Sequence, residues 1–297
     1  MINRRHFLSK ITQFSFMSLF STPISVIFNT SAKPLAPEIS LVTVPSITSY
    51  FLALDYQTAP PQSLITGHSF NGGVRYDETR QTPLHGNALT VQNCIRIHDI
   101  TTMTSNETLP YFHIIALSRE RPQFKGQILF ELLSYLVKPL HLAPNRLVLV
   151  STDRINAYLP IIEKVGIKKA QIIYRSDEEA HALGDGSGYF NPKGHPYIDG
   201  IHTVSFHYAL DPSIMNRPLQ YPLTGAIELG EFVVADPRKE QQSETGGFGL
   251  ERLQMAQTGQ SSNYDRALHQ AITHLEKEAK QLNQPLPKAY EILKASG

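Results

Sequence analysis

An α+β domain, built on a mainly antiparallel sheet flanked by helices, is the fold class this sequence predicts. Strand-like runs outnumber helix-like ones, and several strand runs follow one another directly. The long helical patterns that do occur are amphipathic. At 297 residues, 41% of them hydrophobic, the chain buries one large core or two small ones. We read one main domain, residues 65–282, behind a divergent lead-in.

The first 32 residues stand apart. "INRRHFLSK" sets Arg4 and Arg5 ahead of Phe7 and Leu8, and the apolar stretch "ITQFSFMSLFSTPISVIF" is interrupted by Gln13 and Pro23. This is the layout of a secretory signal of the twin-arginine type, with cleavage expected after Ala32. The expected location is periplasmic or otherwise exported, with a cytoplasmic chain as the alternative. An amphipathic first helix with a chance arginine pair is the competing reading, and a permanent span is not expected.

Residues 33–64 form a Pro-, Ser- and Thr-rich lead-in. The runs "ISLVTV" and "SYFLALDY" look strand-like, and the prolines argue against a long helix. "NALTVQNCIRIHDI" and "LPYFHIIALS" then read as two strands around the polar loop "TTMTSNET". In "QILFELLSYLVKPL", Ile128, Leu129, Leu132, Leu133, Leu136 and Val137 keep helical spacing until Pro139 stops it. "NRLVLVST" reads as a strand, "INAYLPIIEKVG" as a helix ended by Gly166, and "AQIIYR" as a strand. After the Gly- and Pro-containing loop "GDGSGYFNPKGHPYIDG" come two more strands, "IHTVSFHYAL" and "GAIELGEFVVAD". The amphipathic helix "NYDRALHQAITHLEKEAKQL" closes the domain, and residues 283–297 are a C-terminal tail.

Charge and cysteine content exclude several classes. Lys and Arg number 27 against 26 Asp and Glu, with no long basic run, so nothing marks a nucleic-acid platform. The single cysteine, Cys94, permits neither a disulfide framework nor a cysteine zinc site, and its apolar setting marks a core residue. His195, Asp199, His202 and His207 cluster in sequence, but His202 and His207 stand an odd number apart in a strand and face opposite sides. They are read as loop and core residues.

The stretch "SETGGFGLERLQ", Ser243 to Gln254, carries the chemistry. Gly247, Gly249 and Arg252 stand in the order G-x-G-x-x-R. That suits either a turn that cradles phosphate, with Arg252 as a cationic fork, or a plain glycine-rich helix entry. The sixth position is Arg, so the dinucleotide fingerprint is excluded.

This stretch, with "SSNYD" downstream, resembles the third motif of the class II aminoacyl-tRNA synthetases, in the form carried by the alanyl-tRNA synthetases. There an Asp-Thr-Gly-x-Gly-Leu-Glu-Arg run leads to Ser-Asn-Tyr-Asp. "TVQNCIRIHDI" resembles the start of the second motif, "IELGEFVV" the amino-acid pocket strand, and "FNGGV" a Phe-Thr-Asn-Ala-Gly-Met segment, in the matching chain order. The resemblance implies a class II catalytic domain over roughly residues 65–270, activating an amino acid with ATP and Mg²⁺. It implies Arg96 on the α-phosphate and carboxylate and Arg252 on the γ-phosphate, as the catalytic pair. Asp99, Gly247 and Gly249 would complete the ATP site. Glu228 or Glu251 would hold Mg²⁺, and Glu231 and Glu244 would bind the amino acid, with Glu244 receiving its ammonium group.

The departures from that family set further expectations. An extra glycine before "GFGLER" shifts the register of Glu244. Gly230 and Glu231 replace a tryptophan and an asparagine, which implies a larger or cationic substrate rather than alanine. Ile115 replaces a glutamate, which implies weaker adenine or metal binding. The family's first helix has no counterpart in the lead-in, and its tRNA-binding and editing domains have none downstream, so the acceptor is tRNA, a carrier protein or a small molecule. The competing function is an exported, non-catalytic binding protein that retains the fold.

Overall fold

The computed structural model describes residues 40–66, 69–73, 86–96, 109, 111–190, 201–233, 243–260, 264–288 and 290–296. The proposed signal segment, residues 1–32, lies outside them, as do Asp99, His195 and Asp199. Eleven strands are described: β1 (Gln57–Thr58), β2 (Ile65–Thr66), β3 (Ser69–Phe70), β4 (Ala88–Ile95), β5 (Tyr111–Arg119), β6 (Leu147–Ser151), β7 (Ile172–Tyr174), β8 (Tyr189–Phe190), β9 (Ile201–Ala209), β10 (Ala226–Val233) and β11 (Glu244–Gly249). Nine of them form one sheet in the order β1-β4-β5-β11-β10-β9-β6-β7, with β8 paired to β9. Pairing from β4 through to β6 is antiparallel. Only the outer pairs β1–β4 and β6–β7 run parallel. The sheet is therefore mixed and largely antiparallel, and the domain is α+β, as the sequence predicts.

The lead-in departs from the sequence reading. Val44–Leu52 is a helix, α1, not a strand. Thr43 and Ser46 form a reciprocal cap, Pro45 sits in the first turn where its missing N–H costs nothing, and Ile47 and Phe51, one turn apart, are fully buried. Helical spacing of two large apolar residues outweighed the alternation that suggested a strand.

Helix α2 (Gln127–Val137) buries Ile128, Leu129, Leu132, Leu133 and Leu136 and ends just before Pro139. The predicted helix after β6 is split into a 3₁₀ turn, Asp153–Tyr158, and a short α3 (Leu159–Lys164), with Pro160 opening the α segment. A further helix, α4 (Asp177–Leu183), was not predicted. Ser176 and Glu179 form its capping box and Gly184 ends it at φ 59°. Helix α5 (Leu250–Thr258) follows β11 directly. α6 (Tyr264–Leu282) carries the predicted amphipathic pattern, and the tail contains α7 (Tyr290–Ser296).

The two largest apolar clusters hold these layers. The larger joins α1, α2, α3 and α5 to the sheet, through residues such as Phe51, Leu132, Tyr158, Phe232 and Phe248. The smaller packs Leu268, Ala271 and Leu275 of α6 and Leu293 of α7 against Ile95, Tyr111 and the β2–β3 pair. Cys94 is fully buried, and burial pushes its thiol up to about 12, as suits an inert core residue.

Candidate active site

Strands β4, β5, β11 and β10 lie side by side, so their side chains on one face form a continuous wall. A cleft of about 280 Å³ opens on it. Seven of the residues singled out from sequence line it: Arg96 after β4, Glu228 and Glu231 on β10, Gly247 and Gly249 on β11, and Glu251 and Arg252 at the start of α5. They span 156 positions of chain, from 96 to 252, and meet in one place. Phe112, Ile114, Thr245, Asp185 and Phe190 complete much of the lining.

Alternation along each strand separates the side chains packed in the core from those open to the cleft. On β5, Ile115 is fully buried in the large core while its neighbour Ile114 lines the cleft. The residue standing for a family glutamate therefore belongs to the core, where a carboxylate would be costly. On β11, Thr245, Gly247 and Gly249 line the cleft, and Phe248, buried in the large core, also borders it.

Glu244 shares the phase of Phe248. It is 1% exposed and does not line the cleft. Its carboxylate accepts the N–H of Ile128, at 2.9 Å, and that of Gly126, so it anchors the start of α2. Burial raises its carboxyl above the ordinary range, although those two N–H groups pull it back down. The ammonium role implied for Glu244 thus has no cleft-facing carboxylate behind it.

Strand β10 carries a β-bulge between Glu228 and Gly230. Before it, Ile227 and Leu229 belong to the core; after it, Phe232 does. The bulge inverts the phase, so Glu228 and Glu231, three positions apart, both line the cleft. Gly230 is required here, because a Cβ would fall 1.9 Å from the Gly247 carbonyl oxygen. The space left by its missing side chain is filled by the β11 backbone and does not enlarge the pocket. Gly247 is constrained likewise, since a Cβ would meet the Ile115 oxygen at 2.2 Å. The stretch "ETGGFG" is therefore a strand running into a helix rather than the expected turn, and its glycines permit close strand approach.

The cationic groups are held differently. Arg96 is exposed; its Nε donates to the Gly72 carbonyl at 3.0 Å and its guanidinium lies 4.8 Å over the Phe112 ring. "FNGGV" thus joins the site through Gly72 and Gly73. Arg252 Nη1 donates to Glu228 Oε2 at 2.7 Å and to the Glu228 carbonyl at 3.2 Å.

Three of the four acids described in the cleft are partnered. Glu228 pairs with Arg252. Glu251 accepts the His113 N–H at 2.9 Å and lies 2.5 Å from His113 Nδ1. Asp185 accepts from Ser187 N–H at 3.0 Å and Tyr221 OH at 2.9 Å, with Arg175 3.7 Å away. Burial pushes the Asp185 carboxyl up, but these donors outweigh it and hold it below the ordinary value. The Glu231 carboxylate makes no hydrogen bond or ion pair among the described residues. Burial and then the Glu228 charge raise it to about 7, against the pull of Arg96.

No known family matches the chain, and no curated protein matches it. Among solved structures, the apo histidyl-tRNA synthetase of S. aureus matches 67% of this chain and 57% of its own, at a TM-score of 0.30 and 11% identity. The chain thus spans just over half the length of that enzyme.

Phe112, Thr245, Asp185 and Phe190 were not read from the sequence. The "DGSG" stretch offered a signal for Asp185, whose carboxylate caps its own turn through Ser187. His207 is buried against Ser205 Oγ at 3.0 Å, and burial holds both it and His202 below the ordinary histidine value. Among the described residues no three metal-binding side chains cluster.

Proposed function

We propose that the chain is a class II-type amino-acid-activating domain, forming an aminoacyl adenylate from ATP and an amino acid. The observation that carries this reading is the convergence on one cleft of Arg96, Glu228, Glu231, Gly247, Gly249 and Arg252, the residues that the motif resemblance implies for the site. The N-terminus of α5, which no side chain caps, opens on the same cleft, where a helix start favours an anion.

Activation brings a carboxylate to the α-phosphorus of ATP, two negative groups that repel. The carboxylate oxygen forms the new P–O bond and pyrophosphate leaves with the electrons of the old one. Arg96 would neutralise the α-phosphate and carboxylate as they meet. Arg252 would exchange Glu228 for the γ-phosphate. The Glu228 carboxylate so released is an oxygen donor of the type Mg²⁺ takes, one or two carboxylates plus phosphate oxygens. Glu251 fits less well, since both its oxygens are engaged by His113. Bound there, Mg²⁺ would supply charge neutralisation of the phosphates.

The test is pyrophosphate exchange by the purified full chain with a panel of amino acids. Incorporation of labelled pyrophosphate into ATP, dependent on one amino acid, is expected. A folded protein that neither exchanges nor binds ATP overturns the reading. The acceptor, tRNA or another molecule, is then found by chasing the labelled adenylate.

Arg4 and Arg5 favour a second reading, an exported protein that uses this cleft for binding alone. N-terminal sequencing of the protein from its own cells separates the two. A chain beginning at Lys33 outside the cytoplasm supports export, and a retained Met1 in the cytoplasm removes it.

A further inference from the structure

The cleft wall is charged unevenly. Its described ionisable lining residues are Arg96 and Arg252 against Asp185, Glu228, Glu231 and Glu251. Three of those acids are spent on Arg252, His113 and the Ser187–Tyr221–Arg175 group. Among the described lining residues, Glu231 alone keeps both carboxylate oxygens for a ligand. It is placed there by two costly devices, the bulge on β10 and the Gly230–Gly247 approach that leaves no room for a Cβ. Its Oε2 also packs so closely on Gly186, which has φ +96°, that a Cβ there would lie 2.9 Å away. A carboxylate held in place without a partner, inside a cleft that must also admit a polyphosphate, calls for a cation from the ligand.

Accepting the activation reading above, we propose that the amino acid carries a cationic side chain, an ammonium or guanidinium, that seats on Glu231. Every amino acid brings an α-ammonium group, so the proposal concerns a second cation. That cation completes Glu231 and offsets part of the phosphate charge in a cleft whose described acids outnumber its described bases. A neutral side chain would leave the half-buried Glu231 carboxylate beside Glu228 without a cationic partner. The discrimination is the kind a site achieves when the wrong ligand leaves its polar group unpaired.

The test pairs ligands that differ only in the second charge. Binding of L-lysine, L-arginine and L-norleucine to the full chain is measured by calorimetry, with and without ATP, for the wild type, Glu231→Gln and Glu231→Asp. Norleucine keeps the α-ammonium and the chain length of lysine but lacks its ε-ammonium. Lysine or arginine is expected to bind about 10- to 100-fold more tightly than norleucine, the range for one charged hydrogen-bonded contact. Glu231→Gln should erase that preference with norleucine binding unchanged, and Glu231→Asp should retain part of it. Thermal melts confirm that both variants fold. Equal loss of lysine and norleucine affinity in Glu231→Gln would assign Glu231 to the α-ammonium and overturn the proposal. So would a wild type that prefers norleucine, or one that binds none of the three. Pyrophosphate exchange on the same samples keeps the two readings apart. Exchange with a neutral amino acid alone sinks the cation proposal and preserves activation, whereas tight lysine or arginine binding without exchange does the reverse.

Discussion

Glu231 has a consequence for stability that is independent of any ligand. Its carboxyl lies at 4.5 ordinarily and is raised to about 7 in the fold, first by burial, then by Glu228, with Arg96 opposing. The native state therefore holds a proton that the unfolded chain gives up between those values, so this residue's effect on stability turns unfavourable as pH rises from 4.5 to about 7. Below that window the residue is neutral in both states and costs nothing; above it the cost is at most about 3 kcal/mol, reduced by the solvent that reaches this half-buried side chain. Glu231→Gln removes the titration. Urea unfolding should show the variant more stable than the wild type at pH 8, by up to about 3 kcal/mol, and no more stable near pH 4. A difference that is the same at both pH values would show that Glu231 is not the group responsible. At this scale much was legible: Arg96, Arg252, Glu228 and Glu231 could be named from motif order. What the sequence hid was phase. Counting by twos along "IELGEFVV" puts Glu228 and Glu231 on opposite faces, and only the bulge brings them together.

Among elements, the start of α2 shows how a motif residue can be diverted. Gly126 takes φ +83° as the N-cap and offers no side-chain acceptor, so Glu244 from β11 supplies one across the sheet–helix interface. A glutamine keeps the shape but loses the charge and can accept at only one oxygen. Glu244→Gln should therefore destabilise the fold by about 1–3 kcal/mol, read by chemical denaturation, while the amino-acid KM in pyrophosphate exchange stays as in the wild type. A tenfold rise in that KM at unchanged stability would return Glu244 to the ammonium role. Elements with a strong period, α2, β4, β5, β9 and α6, were legible in the sequence. α1 and β11 were not, for opposite reasons: two buried residues on a capped turn mimicked a strand, and a strand rich in glycine mimicked a turn.

For the molecule as a whole, the cleft is built from segments far apart in sequence but adjacent in the sheet, so a ligand there ties β4, β5, β10, β11 and α5 together only when all are folded. Such a ligand stabilises by mass action, about 2.7 kcal/mol at a hundredfold excess over Kd, or roughly 5 °C in Tm for a domain of this size. ATP with Mg²⁺ should give the full chain that rise. Arg252→Ala removes the cation expected to meet the γ-phosphate, and its present bond to Glu228 is about one-third exposed, so its loss costs the unliganded fold little. The variant should melt within a degree or two of the wild type without ATP and show no rise with it. Glu244→Gln should do the reverse, melting lower without ligand yet gaining the full increment. If Arg252→Ala keeps the ATP-dependent rise, the glycine-rich strand and its arginine serve the architecture alone, and the nucleotide is held elsewhere.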